Sequence, residues 1–455
     1  MSSASRLLLR GGTVFTGGAD GRVIADGGVL LEDNRITAVG ACRDVEQIAA
    51  DATDVERIDA HGNLIMPGLV NGHTHLYSAL ARGLTTQLKP SANFVEILEN
   101  LWWRLDRALT NEHNWYSAAA GALDLIAAGT TTIIDHHASQ VHVTGSLDNV
   151  AEALSDVGIR ANLCFEVTDR DGPQKRDEGL AENEAFGRRV AAEHAAAEGE
   201  RLLTASVGLH ASFTLDDATL DRAAMLAREL GVGCHIHAAE DRADVDDSLE
   251  RCGKRVIERL ADHGVLGDRS IAVHGIHLSD AEFGLLRETD TIVVHNPQSN
   301  MNNAVGRSNV LRMLNEGILV GLGTDGFTGS MFDEMKVANL IHRHDAGDPR
   351  VGHDVAMRLC IGNNPSIATR LIGDRVGVLE QGALADIIIV DYDPPTPLLD
   401  SNFGGHLIFG LTGGMVTTTI INGEVVYRDR EFVTVDARAT RARARELARD
   451  LWEKM

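Results

Sequence analysis

The stretch Leu64-Ile65-Met66-Pro67-Gly68-Leu69-Val70-Asn71-Gly72-His73-Thr74-His75 decides the fold class, because an apolar run ends there in two histidines. In a β-strand, the side chains of residues i and i+2 point to the same side. His73 and His75 therefore direct two imidazoles at one point, which is the beginning of a metal site. Two ligands do not hold a zinc ion, so a coincidental pair of core histidines stays the alternative until further ligands are found.

Four further apolar runs end in histidine or aspartate in the same way. These four ends follow one another at intervals of 37, 21 and 30 residues, about what a strand–helix–strand unit of roughly 30 residues needs. In a parallel barrel, catalytic groups lie at the C-terminal ends of several strands. Five such ends in register therefore predict a barrel with a metal site at one face. The four later run ends are His237, His274, His295 and Asp325.

Strand and helix patterns alternate through residues 67–379, and this alternation predicts an α/β fold with a parallel (β/α)8 barrel of the TIM type. At 455 residues, the chain exceeds the usual limit of about 250–300 residues for one core, so a second, smaller domain is expected. The candidate barrel strands lie near residues 69–73, 131–135, 159–165, 203–209, 232–237, 270–274, 291–295 and 318–325.

Both ends of the chain carry short strand-like runs separated by glycine turns. Residues 1–66 and 380–435 show this pattern and are predicted to complete one small β-sandwich domain beside the barrel. Residues 436–455 are rich in Ala, Arg, Leu and Glu, which favours a C-terminal helix.

Composition and charge restrict the possible partners and location. The net charge of −24 disfavours binding to nucleic acid or to an anionic membrane. No run approaches the roughly 18 apolar residues of a membrane span. The start of the chain lacks the apolar region of a signal peptide, and the five cysteines are scattered without a C-x-x-C pair. We therefore expect a cytoplasmic protein with reduced thiols.

Several motifs resemble the amidohydrolase superfamily, in the branch of cytosine, guanine and adenosine deaminase-like enzymes that also contains triazine hydrolases. The resemblance covers nearly the whole chain and implies a TIM barrel with a small domain built from both chain ends. The superfamily motifs are PGLVNGHTH (67–75), HAAE (237–240), VHGIHLS (273–279), HNPQSN (295–300) and GLGTDG (321–326). Stretches similar to the SsnA-type aminohydrolases of this branch are HTHLYSALARG (73–83), LWWRLDRALT (101–110) and HNPQSNMNNAVG (295–306).

His73, His75, His237 and Asp325 together offer three nitrogens and one carboxylate, and the resemblance implies that they are the metal ligands. With one water, such a set suits zinc or ferrous iron and leaves the open position that a hydrolytic metal needs. Two-metal members of the superfamily carry a bridging carboxylated lysine at the end of the fourth strand. Residues 206–210 contain no lysine, so we expect one divalent metal ion per chain, zinc first and iron as the alternative.

Three residues are predicted to carry the chemistry. Glu240 lies three residues after His237, where a carboxylate near the metal can be tuned as a general acid/base. The resemblance implies that Glu240 protonates a ring nitrogen of the substrate, while a solvated loop carboxylate is the alternative. His274 is expected to polarise the attacking water or the developing oxyanion, and Asp325 to take a proton from that water together with His274.

The residues around the metal set have less certain roles. The resemblance implies that His210 contacts substrate, although a supporting hydrogen bond is the alternative. His295 and Asn300 are predicted to face the substrate, and Arg82 is predicted either to hold an anionic or carbonyl group or to form an interface ion pair. His235 shares a strand face with His237 but lies one layer deeper, so we expect it to be structural. Pocket lining and packing both remain open for His136, His137, Trp102 and Trp103.

These residues predict hydrolytic deamination of a nitrogen heterocycle, such as a purine, pyrimidine, pterin or triazine, with release of ammonia. The same site could hydrolyse another C–N or a C–Cl bond, as a chlorohydrolase, an N-alkylaminohydrolase or a cyclic amidase. A non-catalytic scaffold would lose ligands, and here the whole set is present. The expected partners are a small heterocyclic substrate and further copies of the chain in a dimer or larger homo-oligomer.

Overall fold

The structure, a computed structural model, describes residues 6–50, 54–84, 89–196, 202–327, 329–352 and 354–455. Its strands are β1 (Arg6–Phe15), β2 (Val23–Glu32), β3 (Arg35–Ala41), β4 (Val55–Asp59), β5 (Leu64–Pro67), β6 (Leu69–Thr74), β7 (Thr130–His137), β8 (Arg160–Phe165), β9 (Leu203–Ala205), β10 (Val207–Ala211), β11 (Cys234–Ala238), β12 (Ile271–His274), β13 (Ile292–His295), β14 (Val320–Leu322), β15 (Ile387–Val390), β16 (Val416–Ile421), β17 (Glu424–Arg428) and β18 (Glu431–Phe432).

Helices fill most of the connections between these strands. They are α1 (Cys42–Ala50), α2 (Phe94–Ile97), α3 (Trp103–Ala108), α4 (Asn111–Ala127), α5 (Ser146–Val157), α6 (Pro173–Ala196), α7 (Asp217–Leu230), α8 (Arg242–Cys252), α9 (Val256–Asp262), α10 (Asp280–Glu288), α11 (Pro297–Asn302), α12 (Val310–Asn315), α13 (Met331–Ala346), α14 (Asn364–Ile372), α15 (Phe403–Phe409) and α16 (Ala437–Lys454). Among the helices that the structure describes, none is long and apolar enough to cross a lipid bilayer.

Two parallel sheets form the barrel, one in the order β6-β7-β8-β9 and the other in the order β10-β11-β12-β13-β14. β9 and β10 are two parts of one barrel strand, interrupted at Ser206. Isolated parallel bridges pair Thr74 with Asp325 and Val167 with Leu209, and they join the two sheets into one cyclic order. All eight predicted barrel strands are present, with helices between them, and the predicted (β/α)8 fold class is confirmed.

The barrel strands form here because they can be buried on both faces. β12 and β13 are short Ile/Val runs in which every residue is buried, as is typical of parallel sheets covered by helices. At the seam between the first and last strands, Gly323 is required by close packing. A Cβ at Gly323 would lie 2.7 Å from the backbone nitrogen of His73 and 2.5 Å from Oδ1 of Asn296. The small residue therefore lets the segment that carries Asp325 approach the segment that carries His73.

Strands from the two ends of the chain hydrogen-bond in one nine-stranded sheet beside the barrel. Its order is β18-β17-β16-β15-β5-β1-β2-β3, with β4 paired to β1. β5 connects the two halves, because it pairs in parallel with β1 and antiparallel with β15. The apolar face of this sheet packs a separate core that includes Leu9, Val14, Ile65, Ile387 and Ile420.

Two contacts fix other parts of the chain to the barrel. Arg160 at the start of β8 forms a fully buried, two-pronged ion pair with Asp386, just before β15, through N–O distances of 3.0 Å. Helix α16 packs on the segment that follows His75, where Trp452 donates a hydrogen bond to the carbonyl oxygen of Leu80 at 2.8 Å. The C-terminal part of the chain is therefore attached to the barrel at two places, the start of β8 and the segment that follows His75.

Candidate active site

Four of the residues predicted from the sequence meet at the C-terminal end of the barrel strands. Nε2 of His75 lies 3.2 Å from Nε2 of His237 and 3.1 Å from Oδ1 of Asp325. Nε2 of His73 lies 3.6 Å from the same Asp325 oxygen. All four side chains are buried or nearly so, and they come from β6, from β11 and from the end of β14. The barrel thus gathers residues more than 250 positions apart around one point.

Backbone carbonyl groups fix which nitrogen of two of these rings faces the cluster. Nδ1 of His75 donates to the carbonyl oxygen of His136 at 2.7 Å, and Nδ1 of His237 donates to that of His210 at 2.8 Å. With Nδ1 protonated, the lone pair of each ring lies on Nε2. Hydrogen bonds of this kind are how proteins orient metal-binding histidines.

The cluster fits a cation. Nε2 of His73 is buried without a hydrogen-bond partner, and the nitrogens of His73, His75 and His237 lie within 4.8 Å of one another. Burial would raise the pKa of Asp325, but the adjacent imidazoles of His73 and His75 hold it well below its ordinary value. Burial lowers the pKa of His75, yet Asp325 outweighs burial and raises it to about 9. A site that attracts a proton this strongly also favours a metal ion, which displaces that proton.

Asp325 and His274 are both held in an unusual backbone conformation. Their φ angles are 54° and 72°, in the left-handed region that non-glycine residues rarely adopt. Ser299 Oγ donates to Asp325 Oδ2 at 2.6 Å, and the amide of Gly326 donates to Oδ1 at 2.8 Å. Strained residues of this kind persist where the surroundings fix them, and they cluster at functional sites.

Glu240 and His274 lie beside the cluster, on the side of Oδ2 of Asp325. Nε2 of His274 is 3.4 Å from Oε2 of Glu240 and 3.9 Å from Oδ2 of Asp325. Nδ1 of His274 donates to Oδ1 of Asn300 at 2.8 Å, which leaves the Nε2 lone pair facing the site. Burial lowers the pKa of His274. Burial, reinforced by the charge of Asp325, raises the pKa of Glu240 well above its ordinary value, so the protonated form of Glu240, which can donate a proton, is favoured.

A cavity opens on this group and is enclosed by aromatic and apolar side chains. Trp102 and Trp103, whose roles the sequence left open, both line it, together with the predicted substrate contact His210. Its apolar lining comprises Tyr77, Phe94, Leu98, Trp102, Trp103, Ala211 and Phe213. Its polar lining comprises His75, Asp106, Glu166, His210, His237, Glu240, Asp244, His274, Ser299, Asn303 and Asp325.

Three of the four predicted substrate contacts lie outside this lining. Asn300 is buried and hydrogen-bonds to His274, so it orients that ring and does not face the cavity. His295 is buried against His342, at 5.3 Å between ring centroids. Arg82 extends to the surface, where its Nη1 pairs with Asp124 at 2.8 Å. The positions of His295 and Arg82 therefore give no support to the predicted substrate contacts.

His235 is fully buried and lies beneath the cluster, at the deeper position expected from the sequence. Its Nε2 lies 2.9 Å from Nδ1 of His73, and its Nδ1 lies 3.7 Å from Sγ of Cys164. His235 thus orients His73 from below. His136 lies against the cluster as well, with Nδ1 3.4 Å from Oε2 of Glu166, whereas His137 contacts Ser139 at 3.0 Å.

The sequence interpretation missed Glu166 and Asp106, two buried carboxylates of the cavity. Burial would raise the pKa of Glu166, but its neighbours His210, His136 and Arg170 hold it below its ordinary value, which favours the carboxylate form. Burial raises the pKa of Asp106 to about 7, although its ion pair with Arg170 lowers it. Glu166 directly follows β8, so the strand-end rule would have found it. Asp106 lies on helix α3, where no sequence signal marks it.

With this fold and site, the chain belongs to the amidohydrolase family, whose family model matches residues 64–426. It is 33% identical to the 5-methylthioadenosine/S-adenosylhomocysteine deaminase of Desulforudis audaxviator, over 99% of this chain and all of that protein. It is 32% identical to the 5'-deoxyadenosine deaminase of Methanosarcina mazei, over 98% of each chain. A crystal structure of an adenosine deaminase from Xanthomonas campestris with bound zinc superimposes with a TM-score of 0.83, 26% identity and 99% coverage of both chains.

Proposed function

We propose that the protein is a metal-dependent aminohydrolase that deaminates a nitrogen heterocycle and releases ammonia. The observation that carries this proposal is the buried carboxyl group of Glu240, whose Oε2 lies 3.4 Å from Nε2 of His274, beside the cluster of three histidines and Asp325 that lines the cavity. Membership of the amidohydrolase family supports hydrolysis, and the deaminase names of the relatives support the C–N bond of a cyclic amidine as its target.

His73, His75, His237 and Asp325 would hold one divalent metal ion. When bound, the metal supplies Lewis-acid polarisation of the attacking water. Three nitrogens and a carboxylate suit zinc, and the zinc of the adenosine deaminase structure supports the same choice. Iron, with the same donor preferences, is the alternative.

The protein's own residues then move the protons. Asp325 Oδ2 and Nε2 of His274, 3.9 Å apart, are placed to remove a proton from the attacking water. As the water oxygen bonds to the amidine carbon, Glu240 donates its proton to the adjacent ring nitrogen, and His274 stabilises the oxygen as charge develops. The amino group takes up the proton that Asp325 and His274 removed from the water, and the C–N bond breaks to release ammonia. The added hydroxyl group gives its proton back to Glu240 as it becomes the ring carbonyl.

The supporting residues have positioning tasks in this proposal. Asn300 fixes the tautomer and the direction of the His274 ring. Ser299 fixes the direction of the Asp325 carboxylate. His210, whose Nδ1 lies 2.7 Å from Oγ1 of Thr214, presents its other nitrogen for a substrate contact. The cytoplasmic location, the homo-oligomer, the division into barrel, small domain and C-terminal helix, and the SsnA-type similarity stay predictions.

A screen for leaving groups tests the proposed function. Zinc-loaded protein is offered aminated purines, pyrimidines, pterins and triazines, together with chloro- and alkylamino-triazines and cyclic amides. We expect at least one aminated ring to release ammonia, with one carbonyl product formed for each ammonia. Protein from which a chelator has removed the metal should release none. Release of chloride or alkylamine, or ring opening without ammonia, would replace deamination by the corresponding hydrolysis.

A further inference from the structure

Glu166 is a charged group of the cavity for which the deamination mechanism has no task. We propose that it determines specificity by accepting a hydrogen bond from a ring N–H of the substrate, so that the preferred substrates are oxo-substituted amino heterocycles with a free ring N–H. This inference rests on the proposed deaminase function and narrows its substrate class. It separates this chain from relatives named for adenosine-type substrates.

The carboxylate of Glu166 lies at the cavity without a hydrogen-bond donor from the described residues. The residue is 3% exposed, and its backbone is fixed at the end of β8 by bonds to His137 O and Gln140 Nε2. Within the described part of the chain, no hydrogen bond reaches its carboxylate oxygens. The nearest imidazole, that of His136, has its Nδ1 3.4 Å from Oε2 of Glu166 but makes no hydrogen bond through that atom.

A buried carboxylate of this kind needs donors. Removing an ionised carboxylate from water costs several kcal/mol unless hydrogen bonds replace those of water. His136 and His210 lie nearby, but among the described residues neither donates a hydrogen bond to this carboxylate, so its acceptor positions at the cavity stay open. A ligand that fills the cavity must therefore present N–H or O–H groups to Glu166, and one that presents lone pairs is repelled.

The position of Glu166 says which part of the ligand meets it. A carboxylate oxygen of Glu166 lies within 4.8 Å of a ring nitrogen of His237, one of the proposed metal ligands. Glu166 therefore faces the ring that reacts and not a substituent several bonds away, such as a ribose. The ring nitrogens of an N9-substituted adenine are all acceptors, whereas guanine and cytosine carry ring N–H donors.

The wall next to Glu166 fits a flat, uncharged ring. Trp103 lines the cavity and has Arg170 against its face at 4.9 Å, while Arg170 is itself paired with Asp106. The charge of Arg170 is thus satisfied within the protein and is not offered to an anionic substrate. An aromatic indole with its position fixed in this way suits stacking on a planar heterocycle.

Matched pairs of substrates test the inference on the zinc-loaded full-length protein. The pairs are guanine with 1-methylguanine and cytosine with 1-methylcytosine, and adenosine and 5'-methylthioadenosine form a third set. We expect kcat/KM, measured by ammonia release, to fall at least about 100-fold on N-methylation in one pair, because the site loses a buried hydrogen bond. Adenosine-type substrates should be slower than the better free base. This comparison uses the unchanged protein, so its outcome does not depend on whether a variant folds.

The variant Glu166→Gln, with the exposed Glu229→Gln as its control, assigns the effect. We expect Glu166→Gln to keep its metal, to lose about 10- to 100-fold in kcat/KM on the free base and to lose most of the N-methyl discrimination. Glu229→Gln should match the parent protein. Fast adenosine deamination, unchanged by Glu166→Gln, would overturn the role of Glu166 and leave the deaminase function standing. Metal loss from Glu166→Gln would make Glu166 a ligand, and no ammonia from any substrate would overturn both proposals.

Discussion

Glu240 has two conceivable tasks, metal binding and proton transfer, and the geometry favours the second. Its carboxylate faces His274 at 3.4 Å, while the lone pairs of His75 and His237 converge with Asp325. We therefore expect Glu240→Gln to keep its metal and to lose about 100- to 10,000-fold in turnover, because only proton transfer is removed. Metal analysis and ammonia assays on the same sample check this, with the exposed Glu250→Gln as the control. A metal-free Glu240→Gln protein would contradict the division of roles.

His237 and His235 project from the same face of β11, yet only one should bind metal. His237 directs Nε2 to His75, whereas His235 contacts Nδ1 of His73 from below at 2.9 Å. We expect His237→Ala to lose the metal and His235→Ala to retain about one equivalent per chain, with a lower rate or stability. Elemental analysis after equilibration with zinc decides. Metal loss from a folded His235→Ala protein, with retention in His237→Ala, would reverse the assignment.

The convergence of His73, His75, His237 and Asp325 could be predicted from the sequence, because each lies at the end of a buried strand and the strand ends of a parallel barrel converge. The contact of Arg82 could not be predicted, because the direction of its side chain depends on the turn that follows β6. In the structure this side chain pairs with Asp124 on α4. His295 obeys the strand-end rule, but its ring packs against His342 of α13. Glu166 obeys it too and was overlooked among the histidines.

At the scale of elements, helix α14 ties the first barrel strand to the last. Asn364 at its start donates from Nδ2 to the carbonyl oxygens of Val70 at 2.7 Å and Leu322 at 2.8 Å, and accepts from the amide of Leu322 at 2.8 Å. These bonds hold the strands that lead to His75 and Asp325.

We expect Asn364→Leu to lower thermal stability and zinc affinity together, because each buried backbone group left unpaired costs about 1–3 kcal/mol. The exposed Ser366→Ala on the same helix is the control and should change neither. Thermal denaturation and competition with a chelator measure the two effects. An unchanged zinc affinity in a destabilised Asn364→Leu protein would show that the seam does not shape the site.

The barrel strands were predictable as elements because short apolar runs between helical patterns are a local signal. The interruption at Ser206 was not, because it follows from pairing: the amide of Ser206 donates to the carbonyl oxygen of Leu163. The arrangement of α2 and α3 over the cavity was also hidden. Trp102 and Trp103 have the same sequence signature whether they pack in a core or line a site, and only tertiary contacts distinguish these cases.

At the scale of the whole molecule, one buried ion pair joins the barrel to the sheet of the chain ends. Arg160 and Asp386 are both fully buried, and Asp386 also accepts from the amide of Asn422 at 2.8 Å. Sequence patterns indicated that the two chain ends belong together. The fold class and the family predicted from the sequence are confirmed. These patterns did not give the strand order, because pairing between residues more than 300 positions apart leaves no local pattern.

We expect Arg160→Met to destabilise the protein by about 3–5 kcal/mol, because it leaves Asp386 buried and unpaired. Arg443→Met is the matched control, since Arg443 pairs with Glu112 and Glu446 at the surface and its loss should change stability little. Thermal denaturation of the two variants measures the difference. Equal midpoints would mean that the buried pair does not hold the two parts together.

Zinc titration of ammonia release tests most directly whether this molecule is a one-metal deaminase. Protein stripped by a chelator is reconstituted with increasing zinc, and ammonia release from its best heterocyclic substrate is followed at each step. We expect the rate to rise in proportion to zinc and to reach a plateau at about one equivalent per chain, because one set of ligands closes around one ion. A plateau at about two equivalents, or ammonia release that persists in the stripped protein, would contradict the one-metal deaminase.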